Sequence, residues 1–169
     1  MTKDLGGRLG NRMFQLAALY TLANELKTDW YFQDEKYFSK YKENIKKLFS
    51  DNIPPIINKT SIHVRRGDYI TTPHNAFYVN LCNTNYYTNA KNLFNNETEY
   101  LIFSDDIEWC KANFKSKNYT YSENKTEIED LNLMAACENN IGANSSFSWW
   151  AAYLNPNPNK KVVFPKIWD

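Results

Sequence analysis

The chain has 169 residues, 43% of them hydrophobic and 16% aromatic, which is enough for one sizeable core in one domain, or in one domain with a partial second. Its formal net charge of +1 provides no general attraction to nucleic acid or to an anionic membrane surface. We therefore do not expect a nucleic-acid-binding protein, and any bound anion must be met by local residues.

The amino terminus and the cysteines bear on the cellular compartment. Residues 1–4 are polar, and no apolar run approaches the roughly 20 residues of a membrane span, so we expect neither a signal peptide nor a transmembrane segment. Cys82, Cys110 and Cys137 lack C-x-x-C spacing, which predicts free thiols rather than a disulfide framework or a zinc site. The expected location is the cytoplasm, with or without peripheral attachment to a membrane.

The chain begins with a glycine-rich turn at residues 6–11. Apolar residues then recur at helical spacing, and this pattern predicts an amphipathic helix over residues 11–27. A short strand is predicted at residues 30–32, where three aromatic residues are adjacent.

A weakly patterned, lysine-rich stretch follows at residues 35–55. We predict one helix in it, around residues 41–49, and the pair Pro54 and Pro55 ends the stretch. It is the best linker candidate in the chain.

After this linker, strand patterns alternate with helix patterns. The predicted strands lie at residues 62–64, 100–103, 119–121, 141–143 and 162–164, and the helices at residues 86–94, 107–114, 127–137 and from Ser145 or Ser146 to residue 154. Such alternation predicts an α/β fold with a parallel sheet and right-handed crossovers. Ligands bind sheets of this kind beyond the carboxyl ends of the strands.

Two adjacent arginines directly follow the strand predicted at residues 62–64. The chain otherwise prefers lysine, and its other arginines are Arg8 and Arg12. A guanidinium group grips phosphate or carboxylate through two hydrogen bonds, which lysine cannot do. Arg65 and Arg66 therefore predict an anion site, although a purely structural pairing with Asp68 or Asp105 is the open alternative.

Other polar turns are predicted at the same edge of the sheet. Ser145 and Ser146 precede a helix, and they are either an N-cap or part of a phosphate site. Gly67 follows the arginines, and a glycine there is typical of a tight bend or of a close approach by a ligand. Asp105 and Asp106 have no histidine nearby, so they are weak evidence for a metal, and we predict none.

Five blocks of this sequence, in the same order, resemble blocks of the α1,2-fucosyltransferases, glycosyltransferase family 11. The block His-Val-Arg-Arg-Gly-Asp at residues 63–68 resembles the HxRRxD motif that these enzymes share with α1,6-fucosyltransferases. Residues 7–15 resemble the opening G-R-L-G-N-Q-M-F-Q, with Arg12 in place of the glutamine. The remaining blocks are Phe-Ser-Asp-Asp at residues 103–106, Asn-Ser-Ser-Phe-Ser-Trp-Trp-Ala-Ala at 144–152 and Val-Phe-Pro-Lys at 163–166.

The resemblance implies a GT-B glycosyltransferase that transfers L-fucose from GDP-fucose to a sugar hydroxyl, typically the 2-hydroxyl of galactose. The transfer would invert the anomeric centre and need no metal or other cofactor, and the partners would be the GDP-sugar donor and a glycan acceptor. The stretch between residues 32 and 62 is shorter than a complete amino-terminal Rossmann-like domain. We therefore expect a reduced acceptor-side part over residues 1–58 and a Rossmann-like GDP-sugar-binding domain over residues 59–169.

The same resemblance implies roles for individual residues. The two arginines would hold the GDP β-phosphate, where preorganised donors stabilise the charge of the leaving group and are worth roughly 10²–10³ in rate. The other implied substrate-binding residues are Asp105 or Asp106 at the guanine or ribose, Ser146, Phe147 and Ser148 at the diphosphate, and Gly10 and Asn11 from across the cleft.

The acceptor hydroxyl also needs a base, for which Asp68 and His63 are both candidates. Asp68 is the nearest carboxylate in sequence. His63 lies within a strand, where a role as a hydrogen-bonded core residue is the preferred interpretation.

Two other functions remain open from the sequence. One is a non-catalytic remnant that binds GDP-sugars. The other is a Rossmann-like interaction module that binds no nucleotide and whose arginine pair is structural.

Overall fold

A computed structural model describes residues 8–25, 41–71 and 78–166. The chain divides into two compact units, Met1–Asn52 and Ile53–Asp169. The assignment of residues 1–58 to an acceptor side and residues 59–169 to a donor side stays a prediction.

The first unit contains two helices in its described part, α1 (Leu9–Glu25) and α2 (Lys42–Ser50). Met13 and Ala17, one helical turn apart on α1, are both buried, as the periodicity predicts. Helix α1 begins before the predicted residue 11, so Gly10 and Asn11 lie in its first turn and not in a preceding loop. The strand predicted at residues 30–32 lies outside the described residues.

The second unit is built on a parallel sheet. Its described part contains β1 (Ile57–Val64), β2 (Tyr100–Ser104), β3 (Tyr119–Tyr121), β4 (Cys137–Ile141) and β5 (Val162–Val163). These five strands lie in the order β3-β2-β1-β4-β5, and every neighbouring pair is parallel. The predicted α/β fold is therefore confirmed, and the strand order agrees with a Rossmann-like domain.

Helices connect the strands. They are α3 (Gly67–Thr71), α4 (Tyr86–Lys91), α5 (Ile107–Asn113), α6 (Glu127–Ala135) and α7 (Ser146–Leu154), with a short 3₁₀ helix at Leu81–Asn83. Side-chain caps explain where two of them begin. Asp106 accepts a hydrogen bond from the backbone of Trp109 in α5, and Thr126 forms a capping box with Glu129 in α6.

Several predicted boundaries are wrong. The helix predicted at residues 127–137 ends at Ala135, and the helix predicted at residues 86–94 ends at Lys91. Strand β4 was expected at residues 141–143, but it covers Cys137–Ile141. Asn140 is therefore a buried residue of the sheet and does not belong to a turn. The Asn140 amide donates to Ser61 Oγ and to the Met134 carbonyl, both at 2.8 Å, and its Oδ1 accepts from Asn155 at 2.7 Å. These bonds satisfy a group that would be costly to bury alone.

Strand β1 likewise begins earlier than predicted, at Ile57, and takes in Thr60 and Ser61, which are buried. At its other end, the turn predicted after Val64 becomes helical at Gly67 and forms α3.

The strand order defines where a crevice must lie. Strand β1 pairs with β2 on one side and with β4 on the other, so the connections leave in opposite directions from the β1–β4 pair. In open α/β sheets, a crevice for ligands lies beyond the carboxyl ends of the strands at this switch point.

Candidate functional site

Three of the predicted polar turns come together at one edge of the sheet. Arg65 follows β1, Asp105 follows β2 and Asn144 lies after β4. The register sets the first two side by side, because Val64 is the partner of Ser104 in the β1–β2 pair. This edge is the carboxyl edge of the sheet and includes the switch point.

Arg65 is held by two carboxylates. Its Nη1 lies 2.6 Å from Oδ2 of Asp105, and its Nη2 lies 2.5 Å from Oδ1 of Asp68. The side chain is 10% exposed, and the guanidinium carbon lies 5.2 Å from the ring centre of Tyr69. Both terminal amino groups of Arg65 are thus engaged within the protein.

Arg66 is fixed in a different way. Its Nε lies 3.0 Å from Oδ2 of Asp106, and its backbone N–H donates to Oδ1 of Asp105 at 2.9 Å. The guanidinium carbon lies 3.7 Å from the ring centre of Trp109, which is a close cation–π stack. The ion pair with Asp106 uses Nε and leaves the two terminal amino groups of Arg66 outside it.

Arg65 forms ion pairs with both Asp68 and Asp105, the two structural partners that the sequence left as an alternative to an anion site. Two guanidinium groups meet three carboxylates, those of Asp68, Asp105 and Asp106. An incoming phosphate must therefore compete with carboxylates for the Arg65 amino groups, whereas the ion pair of Arg66 uses Nε and its guanidinium lies over the Trp109 ring.

His63 occupies a buried position behind the arginines. It is 5% exposed, its carbonyl accepts the Tyr87 hydroxyl at 2.9 Å, and its ring lies 5.4 Å from that of Phe147. Within the described part of the chain, its Nδ1 has no hydrogen-bond partner. Burial lowers its pKa to about 4, against the opposing effect of Asp105 and with a smaller lowering by Arg65. This environment favours the core role and makes His63 a weak base.

The residues before and within α7 divide into different roles. Ser145 Oγ caps the helix by accepting from the Phe147 N–H at 3.3 Å. Ser148 is buried, and its Oγ accepts from the Ala143 N–H at 3.1 Å. Ser148 therefore shapes the loop after β4 from inside, while Ser146 is the partly exposed first residue of the helix.

Two aromatic residues at this edge were not among the predicted site residues. The Tyr69 hydroxyl donates to the Asn144 carbonyl at 2.7 Å, and the Tyr69 ring stacks on Tyr78 at 4.3 Å with nearly parallel planes. Burial, the largest effect, raises the pKa of Tyr69 to about 12, so the phenol remains a donor. Trp109 lies under Arg66. Neither contact has a local sequence signal, because each joins segments far apart in the chain.

Two of the predicted substrate-binding residues lie outside the unit that contains the sheet. Gly10 and Asn11 belong to the first unit, and their contact with the donor stays a prediction.

Among the described residues, no three His, Cys, Asp or Glu side chains are grouped so as to hold a metal ion. No helix in the described ranges has the length and apolar character to cross a membrane.

Comparison with known proteins assigns the family. The model of glycosyl transferase family 11 matches residues 24–169, and the chain therefore belongs to this family. The fold and the arrangement of the motif residues agree with that membership.

Two bacterial relatives are similar over most of the chain. An O-antigen biosynthesis glycosyltransferase of Escherichia coli, WbnK, is 35% identical over 161 residues, which covers 82% of this chain and 53% of the relative. An α1,2-colitosyltransferase of Escherichia coli is 34% identical, with 82% and 54% covered. The chain thus spans about half the length of these two relatives.

A human relative shares a shorter region. The human galactoside α-(1,2)-fucosyltransferase 1 is 29% identical over 101 residues, covering 55% of this chain and 28% of the relative. No solved structure matches.

Proposed function

We propose that this chain transfers L-fucose from GDP-fucose to a sugar hydroxyl, with the 2-hydroxyl of galactose as the acceptor position. Membership in family 11 and the names of the relatives, a colitosyltransferase and α1,2-fucosyltransferases, support a nucleotide-sugar donor and a glycan acceptor. The proposed architecture is GT-B, with the donor bound by residues 59–169 and the acceptor side including residues 1–58.

The observation that carries the proposal is the arginine pair at the switch point. Arg65 and Arg66 lie at the carboxyl edge of the sheet, both nearly buried and both oriented by neighbouring side chains. Oriented guanidinium groups at such an edge bind a diphosphate through paired charge-assisted hydrogen bonds. The donor phosphate then replaces a carboxylate at Arg65 and binds the terminal amino groups of Arg66.

The proposed reaction is a single displacement with inversion. The acceptor oxygen bonds to C1 of fucose while the bond from C1 to the β-phosphate oxygen breaks. GDP leaves with the bonding electrons, and the two guanidinium groups stabilise the charge that it gains. The acceptor proton passes to a base. Asp68 is the preferred base, because its side chain is 38% exposed whereas His63 is buried with a pKa of about 4.

Calorimetry with GDP tests the donor site. We expect the wild type to bind GDP and Arg65→Ala to bind it at least tenfold more weakly, because the lost guanidinium contacts phosphate. Lys59→Ala is the matched control, since it removes a positive charge from the opposite end of β1, where Lys59 pairs with Glu99 at 3.6 Å. No binding by the wild type, or equal binding by both variants, would instead favour the interaction module.

A transfer assay separates an enzyme from a binding remnant. Labelled GDP-fucose is incubated with β-galactosides, and the product linkage is read by NMR. GDP binding without turnover on any galactoside would favour the remnant, in which the chain binds the donor but performs no transfer. EDTA should leave the rate unchanged, and a loss of activity restored by Mg²⁺ or Mn²⁺ would overturn the metal-free mechanism.

A second donor is favoured by one relative. The 34% identity to an α1,2-colitosyltransferase makes GDP-colitose a candidate, and colitose is fucose without its 3-hydroxyl. Direct competition between the two donors decides between them. A preference for GDP-fucose requires a protein group that hydrogen-bonds the 3-hydroxyl, because such a group rejects an analogue that leaves it unpaired.

A further inference from the structure

The phenol of Tyr69 connects helix α3 to the loop before α7, and the proposed donor site needs these two segments at a fixed separation. Tyr69 lies on α3, directly after the arginines, while Asn144 lies in the loop between β4 and the capped start of α7. The Tyr69 hydroxyl donates to the Asn144 carbonyl at 2.7 Å across the switch point. The Asn144 side chain donates in turn to the Val79 carbonyl at 3.0 Å. Three separate segments are thereby joined through Asn144.

The Tyr69 ring is itself held on two sides. One neighbour is the ring of Tyr78, stacked at 4.3 Å between centres with an angle of 7° between the planes. Another is the guanidinium of Arg65, 5.2 Å from the ring centre. A ring with these neighbours has little freedom to rotate, so the hydroxyl is aimed at one carbonyl. The phenol thus relates the position of Arg65 to that of the loop before α7.

We propose that Tyr69 is a positioning residue of the nucleotide-phosphate site, setting the separation between the Arg65 guanidinium and the first turn of α7. This inference rests on the proposed function, because it assumes that a diphosphate lies between these groups. Tyr69 acts through its neighbours. Without its hydroxyl the loop between β4 and α7 loses this hydrogen bond to α3, and the two sides of the phosphate site are no longer held in one geometry.

Tyr69→Phe is the direct test, because it removes the hydrogen bond and keeps the ring and its stack. Loss of one bond between neutral groups corresponds to a fall of about 3- to 10-fold in GDP affinity. The affinity for guanosine, which has no phosphate, should stay the same. A merely structural role would not change the ratio of GDP to guanosine affinity, so this ratio is the deciding measurement.

Tyr86→Phe is the matched control. The Tyr86 hydroxyl also donates to backbone carbonyls, those of Gly142, directly after β4, at 2.6 Å and of Val163, in β5, at 3.1 Å. Those bonds connect α4 to the carboxyl ends of β4 and β5, and neither involves α3. Tyr86→Phe should therefore lower stability without changing the GDP-to-guanosine ratio.

A double-mutant cycle adds a second test. If Tyr69 acts by placing Arg65, the double variant Tyr69→Phe/Arg65→Lys should lose less GDP affinity than the sum of the losses in the two single variants.

Tyr78→Leu removes the stacked neighbour and should reproduce part of the Tyr69→Phe effect, so it remains informative if Tyr69→Phe folds poorly. The inference would be overturned if the two losses of GDP affinity add, or if the ratio of GDP to guanosine affinity is unchanged in both Tyr69→Phe and Tyr78→Leu. In either case, GDP binding by the wild type would still uphold the proposed function. Absence of GDP binding by the wild type would overturn both.

Discussion

Arg65 and Asp105 join the carboxyl ends of two neighbouring strands through an ion pair in which Nη1 lies 2.6 Å from Oδ2. The second oxygen of Asp105 accepts the backbone N–H of Arg66 at 2.9 Å. One carboxylate therefore holds both the side chain of the first arginine and the main chain of the second. The geometry of the candidate site depends on this residue.

Asp105→Ala should lower the free energy of unfolding by about 1–3 kcal/mol, because it leaves a nearly buried guanidinium without one partner and removes a bond to the backbone. Urea denaturation measures the change. Glu108→Ala is the control, since Glu108 pairs with Lys111 at 2.8 Å but its side chain is 79% exposed. That variant should show no measurable change. Equal effects of the two substitutions would contradict the assignment of Asp105 as the anchor of the turn.

Gly67→Ala should destabilise the protein by about 1–3 kcal/mol, because a Cβ at this position would overlap the carboxylate of Asp105. The expected mechanism is displacement of that carboxylate from the arginines. Its signature is non-additivity, so Gly67→Ala should cost much less when introduced into Asp105→Ala. If Gly67→Ala lowers stability equally in the wild type and in Asp105→Ala, the new Cβ is accommodated in some way other than by displacing the Asp105 carboxylate.

His63 should make the protein less stable in mild acid. Its pKa is about 4 in the folded state, compared with 6.5 in the unfolded chain. Between these two pH values the unfolded chain binds a proton at this imidazole and the folded chain does not. Stability from this residue is therefore complete above pH 6.5 and falls as the pH drops toward 4. Between pH 7 and pH 5 the loss should be on the order of 2 kcal/mol.

Urea denaturation at several pH values measures this loss, with His63→Gln as the control that should lack it. NMR offers an independent check, because the chain has two histidines and one ring resonance should titrate near pH 4. Parallel stability curves for wild type and His63→Gln would show that the imidazole is not the group responsible.

Asp68→Asn should separate donor binding from transfer. Asp68 holds Nη2 of Arg65 at 2.5 Å, so removing its charge frees an amino group for phosphate, and GDP affinity should rise roughly threefold or more. If Asp68 is the base, the transfer rate should fall by about 10²-fold or more. Glu99→Gln, which removes the same charge beside Lys59 at the other end of the sheet, should change neither quantity. A normal transfer rate in Asp68→Asn would exclude Asp68 as the base.

The sequence predicted most elements of the second unit because their patterns are local. Helix α5 and strand β3 lie where their apolar spacing placed them, at Ile107–Asn113 and Tyr119–Tyr121. Strand β4 was misplaced because asparagine is typical of turns, and hydropathy could not indicate that Asn140 has hydrogen-bond partners from three other segments. The cost of burying an amide depends on those partners, which lie far away in the chain.

Gly67 illustrates the same limit at the candidate site. The sequence indicated a tight bend or an approaching ligand, and the structure instead shows a close approach by Asp105. The two arginines were correctly recognised as unusual, but their carboxylate partners could be narrowed only to Asp68 or Asp105. The structure adds Asp106 and Trp109 as the neighbours of Arg66.

The sequence by itself determined the alternation of strands and helices, the polar residues that end the strands and the motifs of family 11. Each of these is contained in a short window of the chain or in the order of such windows. Only the tertiary structure decided that Arg65 meets Asp105, 40 residues away, and that Tyr69 meets Asn144, 75 residues away. The physical reason is that these pairs follow from strand order and register, which depend on how the whole sheet packs and not on the residues of any one segment.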